Sequence, residues 1–326
     1  STQGYSSAAS DVYKRQILRK LKKGVYHMLI SNVIKKCKER YDKKECKHCK
    51  DCSFGNYCPN NCEVCLDYLH FPAHVPDDAP KRKYDCVHMA DFYTCKYSCR
   101  YTSELTYAIK KCSDICNIDE LRVLSFGCGP CTDLFALDAL KEKRELSFND
   151  VQYHGVDYSK DVWVNIHHDI IEMKKEYMKV SFFYDDMCQY IDKLAQENWT
   201  PNLIIFQYVF SDMQKHTLTR NINYFIKKFA EYFNSKILPN SYIILNDINL
   251  SRRLDGGREY FDNLQEQLKN TKYHKNHFYN DNSANGGYTY GDTQPVNKNY
   301  FDLSDLSSFS PFNTCASAQM IIKKVK

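Results

Sequence analysis

The run Leu124-Ser125-Phe126-Gly127-Cys128-Gly129-Pro130 constrains this chain more than any other feature. A short apolar run that ends in Gly-x-Gly just before a helical pattern predicts a strand, a sharp turn and a helix. Glycine allows the turn and a close approach of ligand to backbone, and the helix N-terminus presents free N–H groups. The same alternation continues downstream. Strands are expected at 122–126, 153–157, 180–184, 203–207 and 242–247, and helices at 132–140, 162–178, 187–197, 216–234 and 257–268. Two late strands are expected at 272–278 and 318–324, with a polar surface loop at 280–299 between them. Such alternation implies an α/β fold, a parallel sheet with helices on both faces.

In such sheets ligands bind beyond the carboxyl ends of the strands. Several polar residues fall there. Asp157 ends the second strand in Gly155-Val156-Asp157-Tyr158-Ser159, and an acid at that point suits the two hydroxyls of a ribose. Asp186 follows the third strand, and Gln207-Tyr208 the fourth.

These segments together resemble motifs I to IV of the class I S-adenosylmethionine-dependent methyltransferases over residues 118–326. They are Val123 to Gly129, Gly155 to Ser159, Phe182 to Met187 and Leu203 to Tyr208. The resemblance implies a Rossmann-like, seven-stranded sheet closed by a late antiparallel strand at 318–324. It implies that Gly127 and Gly129 pass under the methionine part of S-adenosylmethionine, with Ser125 and Cys128 of the same turn also at the cofactor. Asp157 and Tyr158 would sit at the ribose, Asp186 and Met187 at the adenine, and Gln207 and Tyr208 near the transferable methyl group. Two positions depart from the pattern. Ser125 stands where the family has an acid, and Cys131 replaces the third glycine. A domain that binds the cofactor as a sensor or scaffold, without turnover, is the alternative that these departures favour.

Methyl transfer needs an in-line approach and, for a weak nucleophile, a base. Gln207, Tyr208 and Asp212 are the candidate catalytic groups, with Asp247 nearby. Neither an Asn-Pro-Pro-Tyr run nor a Pro-Cys pair follows the fourth strand, which disfavours base-amino and cytosine-C5 chemistry on DNA.

The N-terminal part differs in texture. Residues 1–16 are small and polar and read as a disordered tail, and 17–117 as a basic, helical, metal-binding module. An amphipathic helix is expected at 17–41, and a helical pattern returns from about 91 to 116. Between Lys14 and Lys50 fourteen Lys and Arg face three acids. Such an arm suits an anionic partner, RNA above all, or is simply a solvated lysine-rich helix. Ten of the sixteen cysteines lie between Cys37 and Cys99, in a stretch with few large aliphatics. Metal ligation would supply the missing stability. The spacings Cys46-x2-Cys49-x2-Cys52, Cys58-x3-Cys62-x2-Cys65, Cys86-x-His88 and Cys95-x3-Cys99 fit two tetrahedral zinc ions. One pairing is Cys46, Cys49, Cys62 and Cys65, with the second ion drawn from the others. Cys58-x3-Cys62-x2-Cys65 also fits an iron–sulfur cluster, though no barrel pattern follows. Cys112 and Cys116 suit a third site or plain burial.

With no secretory pattern and no long apolar run, the chain reads as cytoplasmic. The expected activity is methyl transfer to RNA. A protein acceptor docked through the zinc module is the alternative.

Overall fold

The structure, a computed structural model, describes residues 28–43, 52, 54–115, 118–216, 219–254, 256–279 and 288–326. Among the described residues eight strands form one sheet: β1 (Glu120–Phe126), β2 (Asp150–Val156), β3 (Met178–Phe183), β4 (Leu203–Gln207), β5 (Tyr242–Ile248), β6 (Thr271–Phe278), β7 (Asp292–Gln294) and β8 (Ser317–Lys324). Their order is β3-β2-β1-β4-β5-β8-β6-β7. β1 to β5 run parallel, and β8 lies antiparallel between β5 and β6. The expected seven strands are present. The eighth, β7, falls inside the stretch expected as loop; it is a short edge strand that pairs with β6 through His277 and Thr293.

Register places the site. Phe126 of β1 stands opposite both Val156 and Phe206. The next residues, Gly127, Asp157 and Gln207, therefore leave the sheet side by side. Among the described residues nine helices flank the sheet: α1 (Leu29–Asp42), α2 (Cys62–His70), α3 (Val87–Ile109), α4 (Thr132–Glu142), α5 (Lys160–Met173), α6 (Met187–Gln196), α7 (Val209–Lys215), α8 (Thr219–Lys236) and α9 (Glu259–Gln267). Several differ from expectation: α3 begins and ends earlier, α5 ends before Lys174, and α2 and α7 fall where no helix was expected. Of the amphipathic helix expected at 17–41, residues 29–41 lie in α1, and 17–27 lie outside the described residues.

Each sheet face carries its own core. α6, α8 and α9 cover one face, with Phe126, Phe206, Phe225 and Phe229 in mutual ring contact. α1, α3, α4 and α5 cover the other. α1 and α3 thus belong to the same hydrophobic cluster as β1 and β2. The start of α1 is tied down from a distance. The Leu29 amide donates to Asp138 Oδ2 of α4 at 2.7 Å, and Tyr177 Oη donates to the other oxygen at 2.8 Å. A buried helix end otherwise leaves its N–H groups without partners.

α3 is buried almost all round, which for a helix with polar residues on every side requires polar partners inside. Glu104 provides the main junction. It is fully buried, and its two oxygens accept four hydrogen bonds. Arg100 Nε (3.1 Å) and the Ala316 amide (3.0 Å) donate to Oε1. Tyr208 Oη (2.7 Å) and Asn246 Nδ2 (3.1 Å) donate to Oε2. Gln319 Nε2 donates to the Glu104 carbonyl at 2.8 Å. One carboxylate thus joins α3 to the ends of β4, β5 and β8.

Removing one member of a buried charged network costs about 3–5 kcal/mol, because the partners stay buried and unpaired. Glu104→Ala is expected to lose that amount in urea denaturation; a loss below about 1 kcal/mol, the range of exposed pairs, would contradict the junction.

Candidate active site

Beyond the carboxyl ends of β1, β2 and β4 lies a cavity of about 950 Å³. That is near the top of the roughly 300–1,000 Å³ usual for small-molecule sites. Its floor is the glycine turn. Gly127 has φ +60°, and a Cβ there would meet Val209 Cγ2 at 2.8 Å, so only glycine fits. Gly129 and Cys131 also have positive φ, and Cys131 is the N-cap of α4. The Cys131 amide donates to the Cys128 carbonyl at 2.8 Å and closes the turn.

Asp157 holds this turn from the side. Its Oδ2 accepts from the Gly129 amide (3.0 Å) and its Oδ1 from the Ser159 amide (2.8 Å). Burial raises its pKa, and these two amides oppose the rise. Each oxygen keeps a lone pair, so the carboxylate can still accept from two hydroxyls in the cavity. Tyr158 is exposed at the mouth. Asp186 and Met187 line the far end, and Asp186 Oδ1 also caps α6 through the Cys188 (2.8 Å) and Gln189 (3.3 Å) amides.

Ser125 is buried beside the turn, and its hydroxyl donates to Asp133. Asp133 is the group that sequence reasoning missed. It lies in the first turn of α4, buried, on the cavity wall. Its Oδ1 accepts from Tyr153 Oη at 2.9 Å and the Leu134 amide at 2.9 Å. Its Oδ2 is buried without a partner. A buried carboxylate oxygen without a donor is costly. The signal in the sequence was an acid in the first turn after the glycines.

Gln207 serves as a strut. Its Oε1 accepts from Thr132 Oγ1, and its Nε2 donates to the Tyr101 carbonyl at 2.9 Å. Tyr208, with φ +58°, donates to Glu104 and stacks on Tyr101 with ring centroids 4.1 Å apart. These partners occupy both side chains, which line the cavity without a free base between them.

Asp212 is different. It opens onto the cavity from the first turn of α7, with 35% of its side chain exposed there and His216 Nε2 at 3.8 Å. Burial in the fold raises its pKa to about 7; Asp247 and Asp157 raise it further, and Lys215 opposes them. Asp247 is turned away to the Ser211 amide, which donates to its Oδ2 at 3.0 Å.

The opposite wall is aromatic. Tyr93, Tyr97 and Tyr101 recur every four residues on α3 and so share one face. Their rings touch in sequence, with centroids 4.9 and 5.3 Å apart. Tyr84 and Trp163 extend the wall, and Arg100 lies over the Phe312 ring at 4.7 Å. His70 also lines the cavity, and burial lowers its pKa to about 3, so it is neutral.

Of the expected metal ligands, Cys52, Cys58, Cys65 and Cys86 neighbour one another, and His88, Cys95 and Cys99 have other partners or burial. Cys46 and Cys49 lie outside the described residues. Cys62 and Cys65 are on α2, Cys86 caps α3, and His88, Cys95 and Cys99 are within α3. Cys52 hydrogen-bonds with Cys86, and Cys58 lies near Cys65. The Cys65 sulfur accepts from Arg82 Nε at 2.9 Å. His88 stacks on Tyr41 with centroids 4.3 Å apart, and Cys95 faces the Ile34 carbonyl at 3.8 Å. Among the described residues, no three of these side chains bring their ligand atoms within 4.8 Å of one another. One group that does is Cys128, Cys131 and His167, within the glycine turn and α5.

No family model and no curated protein matches this chain. Solved structures are similar to it at low identity. The plantazolicin methyltransferase BpumL in complex with SAH shares 16% identity, covers 81% of this chain and 97% of its own, and gives a TM-score of 0.42. The magnesium protoporphyrin IX methyltransferase of Synechocystis PCC 6803 shares 10%, with 69% and 79% covered and a TM-score of 0.39. An O-methyltransferase from Bacillus cereus in complex with SAH shares 10%, with 81% and 90% covered and a TM-score of 0.40. At these scores the likeness says nothing of activity. No described helix is long and apolar enough to cross a membrane.

The raised Asp212 pKa makes a stability prediction. An acid whose folded pKa lies above its unfolded value of about 3.9 binds more protons when folded, so stability falls as pH rises between the two. Asp212→Asn removes that loss. Its melting temperature is expected to exceed that of the wild type at pH 8 by more than at pH 5. A difference independent of pH would contradict the assignment.

Proposed function

We propose that this protein is an S-adenosylmethionine-dependent methyltransferase, and that its acceptor is a planar group, favoured as a base of RNA. The observation that carries the first part is the cavity over the glycine turn, with the Asp157 carboxylate beside the turn and Asp133 in the wall. Ser125 occupies the position where the resembled family has its acid, and Asp133 hydrogen-bonds with Ser125. A carboxylate thus stands on the helix side of the turn, where its charge would attract the cofactor's ammonium group. Asp157 would hold the ribose hydroxyls, and Asp186 and Met187 would border the adenine.

The cofactor supplies a methyl group on a sulfonium. The chain's own task is to seat the acceptor and take its proton. Tyr93, Tyr97, Tyr101 and Trp163 offer a face on which a flat acceptor stacks, worth about 1–3 kcal/mol per base in single-stranded nucleic acid. Asp212, with a pKa near the working pH, is the group placed to receive a proton. Lys81, Lys83 and Lys215 act together on His216 beside Asp212, and such a rim suits an anionic backbone. The basic residues at 14–27 and 44–50 lie outside the described residues. Their expected grip on RNA belongs to the same proposal, as does zinc on the Cys-rich segment near Cys52 and Cys86.

The test offers labelled methyl groups to cell RNA, cell protein and small-molecule fractions. Label in RNA is expected. Label only in protein would move the acceptor to a polypeptide, and label in no fraction would favour a sensor. Asp133→Asn is expected to raise the KM for S-adenosylmethionine roughly ten- to a hundredfold, the effect of losing a hydrogen bond to a charged group of about 1.5–3 kcal/mol. The wild-type rate is expected to rise with pH through about 7 as Asp212 loses its proton, and Asp212→Asn to lower the rate and remove that rise.

A further inference from the structure

We propose that Cys128, Cys131 and His167 bind one zinc ion, which pins the glycine turn to α5. The two thiols are spaced Cys-x-x-Cys across a turn closed by its own backbone hydrogen bond, which brings their side chains together. All three ligand atoms lie within 4.8 Å of one another, and all three residues are buried. Cys128 Sγ is 3.9 Å from His167 Nε2. A tetrahedral zinc with bonds of about 2.3 Å to sulfur and about 2.0 Å to nitrogen needs S···N edges of about 3.6 Å and S···S edges of about 3.8 Å. The Cys128–His167 edge is thus within a few tenths of an ångström of the required length, and the other two edges are below 4.8 Å. The nearest fourth donor is the Gly129 carbonyl oxygen, 2.7 Å from His167 Nε2 and 3.7 Å from Cys131 Sγ.

The surroundings hold the histidine in place. Its ring stacks on Phe182 with centroids 3.9 Å apart and 5° between planes. Its other nitrogen, Nδ1, meets Tyr184 Oη at 2.9 Å. A metal-binding histidine ordinarily has its second nitrogen fixed in this way. In the free protein Nε2–H donates to the Gly129 carbonyl. On zinc binding the imidazole proton moves from Nε2 to Nδ1, where Tyr184 Oη accepts it, and Nε2 takes the metal. Both thiols lose their protons to solvent, so two protons are released per ion. Cys128 borders the cavity, which provides the entry path. A sulfur pair also accounts for cysteine at position 131, where the resembled motif has glycine.

The experiment uses the full chain, reduced and stripped with chelator, and titrates it with cobalt(II) and then zinc. Visible bands of tetrahedral, thiolate-bound cobalt are expected, displaced by zinc. Cys131→Ser and His167→Gln are each expected to bind one equivalent fewer than the wild type, which separates this site from metal held by the N-terminal cysteines. Equal stoichiometry in the wild type and both variants would overturn the proposal. If a variant fails to fold, the wild type decides: zinc should protect Cys128 and Cys131 from alkylation, read by peptide mass. Equal labelling with and without zinc would overturn it, as would an intact mass lower by two hydrogens, which marks a disulfide in their place.

Discussion

A single buried carboxylate organises this protein. Glu104 sits inside a helix buried on nearly every side, and its four donors come from α3 itself, the end of β4, β5 and the start of β8. A lone buried charge would be untenable, and one with every lone pair filled fixes its neighbours instead. The helix can lie across the open end of the sheet only in the position that completes this set. That position turns Tyr93, Tyr97 and Tyr101 toward the cavity and orients Tyr208 and Arg100 along its wall. The floor of the site comes from the βα turn, and its far wall is present because α3 is locked there.

The two departures in the glycine turn have local explanations. Ser125 keeps a short polar side chain at the strand end and donates to Asp133, whose carboxylate reaches the same wall. The acid has changed its place in the sequence while staying at the turn in space. Cys131 takes a left-handed N-cap conformation that favours glycine. Its sulfur lies against Cys128 and His167, and these two pull its pKa down against burial. Backbone strain of this kind persists where the surroundings over-determine it, as they do here.

Much of the fold was legible because β1, β4 and β5 are buried on both faces and read as apolar runs, with helical periods between them. Asp157 and the glycines were legible because register puts the ends of β1, β2 and β4 at one level. Other features were not. β7 is three residues long, polar and at the sheet edge, so no periodicity marks it. The tyrosine face of α3 lies next to the cysteines, and its four-residue spacing was visible while its partner surface was not. Asp212 was visible as a polar residue near the mouth, but its raised pKa comes from burial and from Asp247 and Asp157, which meet it only in three dimensions. Spacing also counts thiols without directing them. Cys65 meets Arg82 and Cys95 meets a carbonyl, while Cys128 and Cys131, noticed only as parts of a glycine motif, converge on a histidine from another helix.

The central claim is that the cavity over the glycine turn takes S-adenosylmethionine through Asp157 and Asp133. Isothermal titration of the full chain with S-adenosylhomocysteine, which shares the adenosine and the amino-acid end, tests it most directly. One molar equivalent is expected to bind, with affinity sharply lowered by Asp157→Ala in a protein that still melts cooperatively. Absence of binding by the folded wild type, or equal affinity in the variant, would contradict the account.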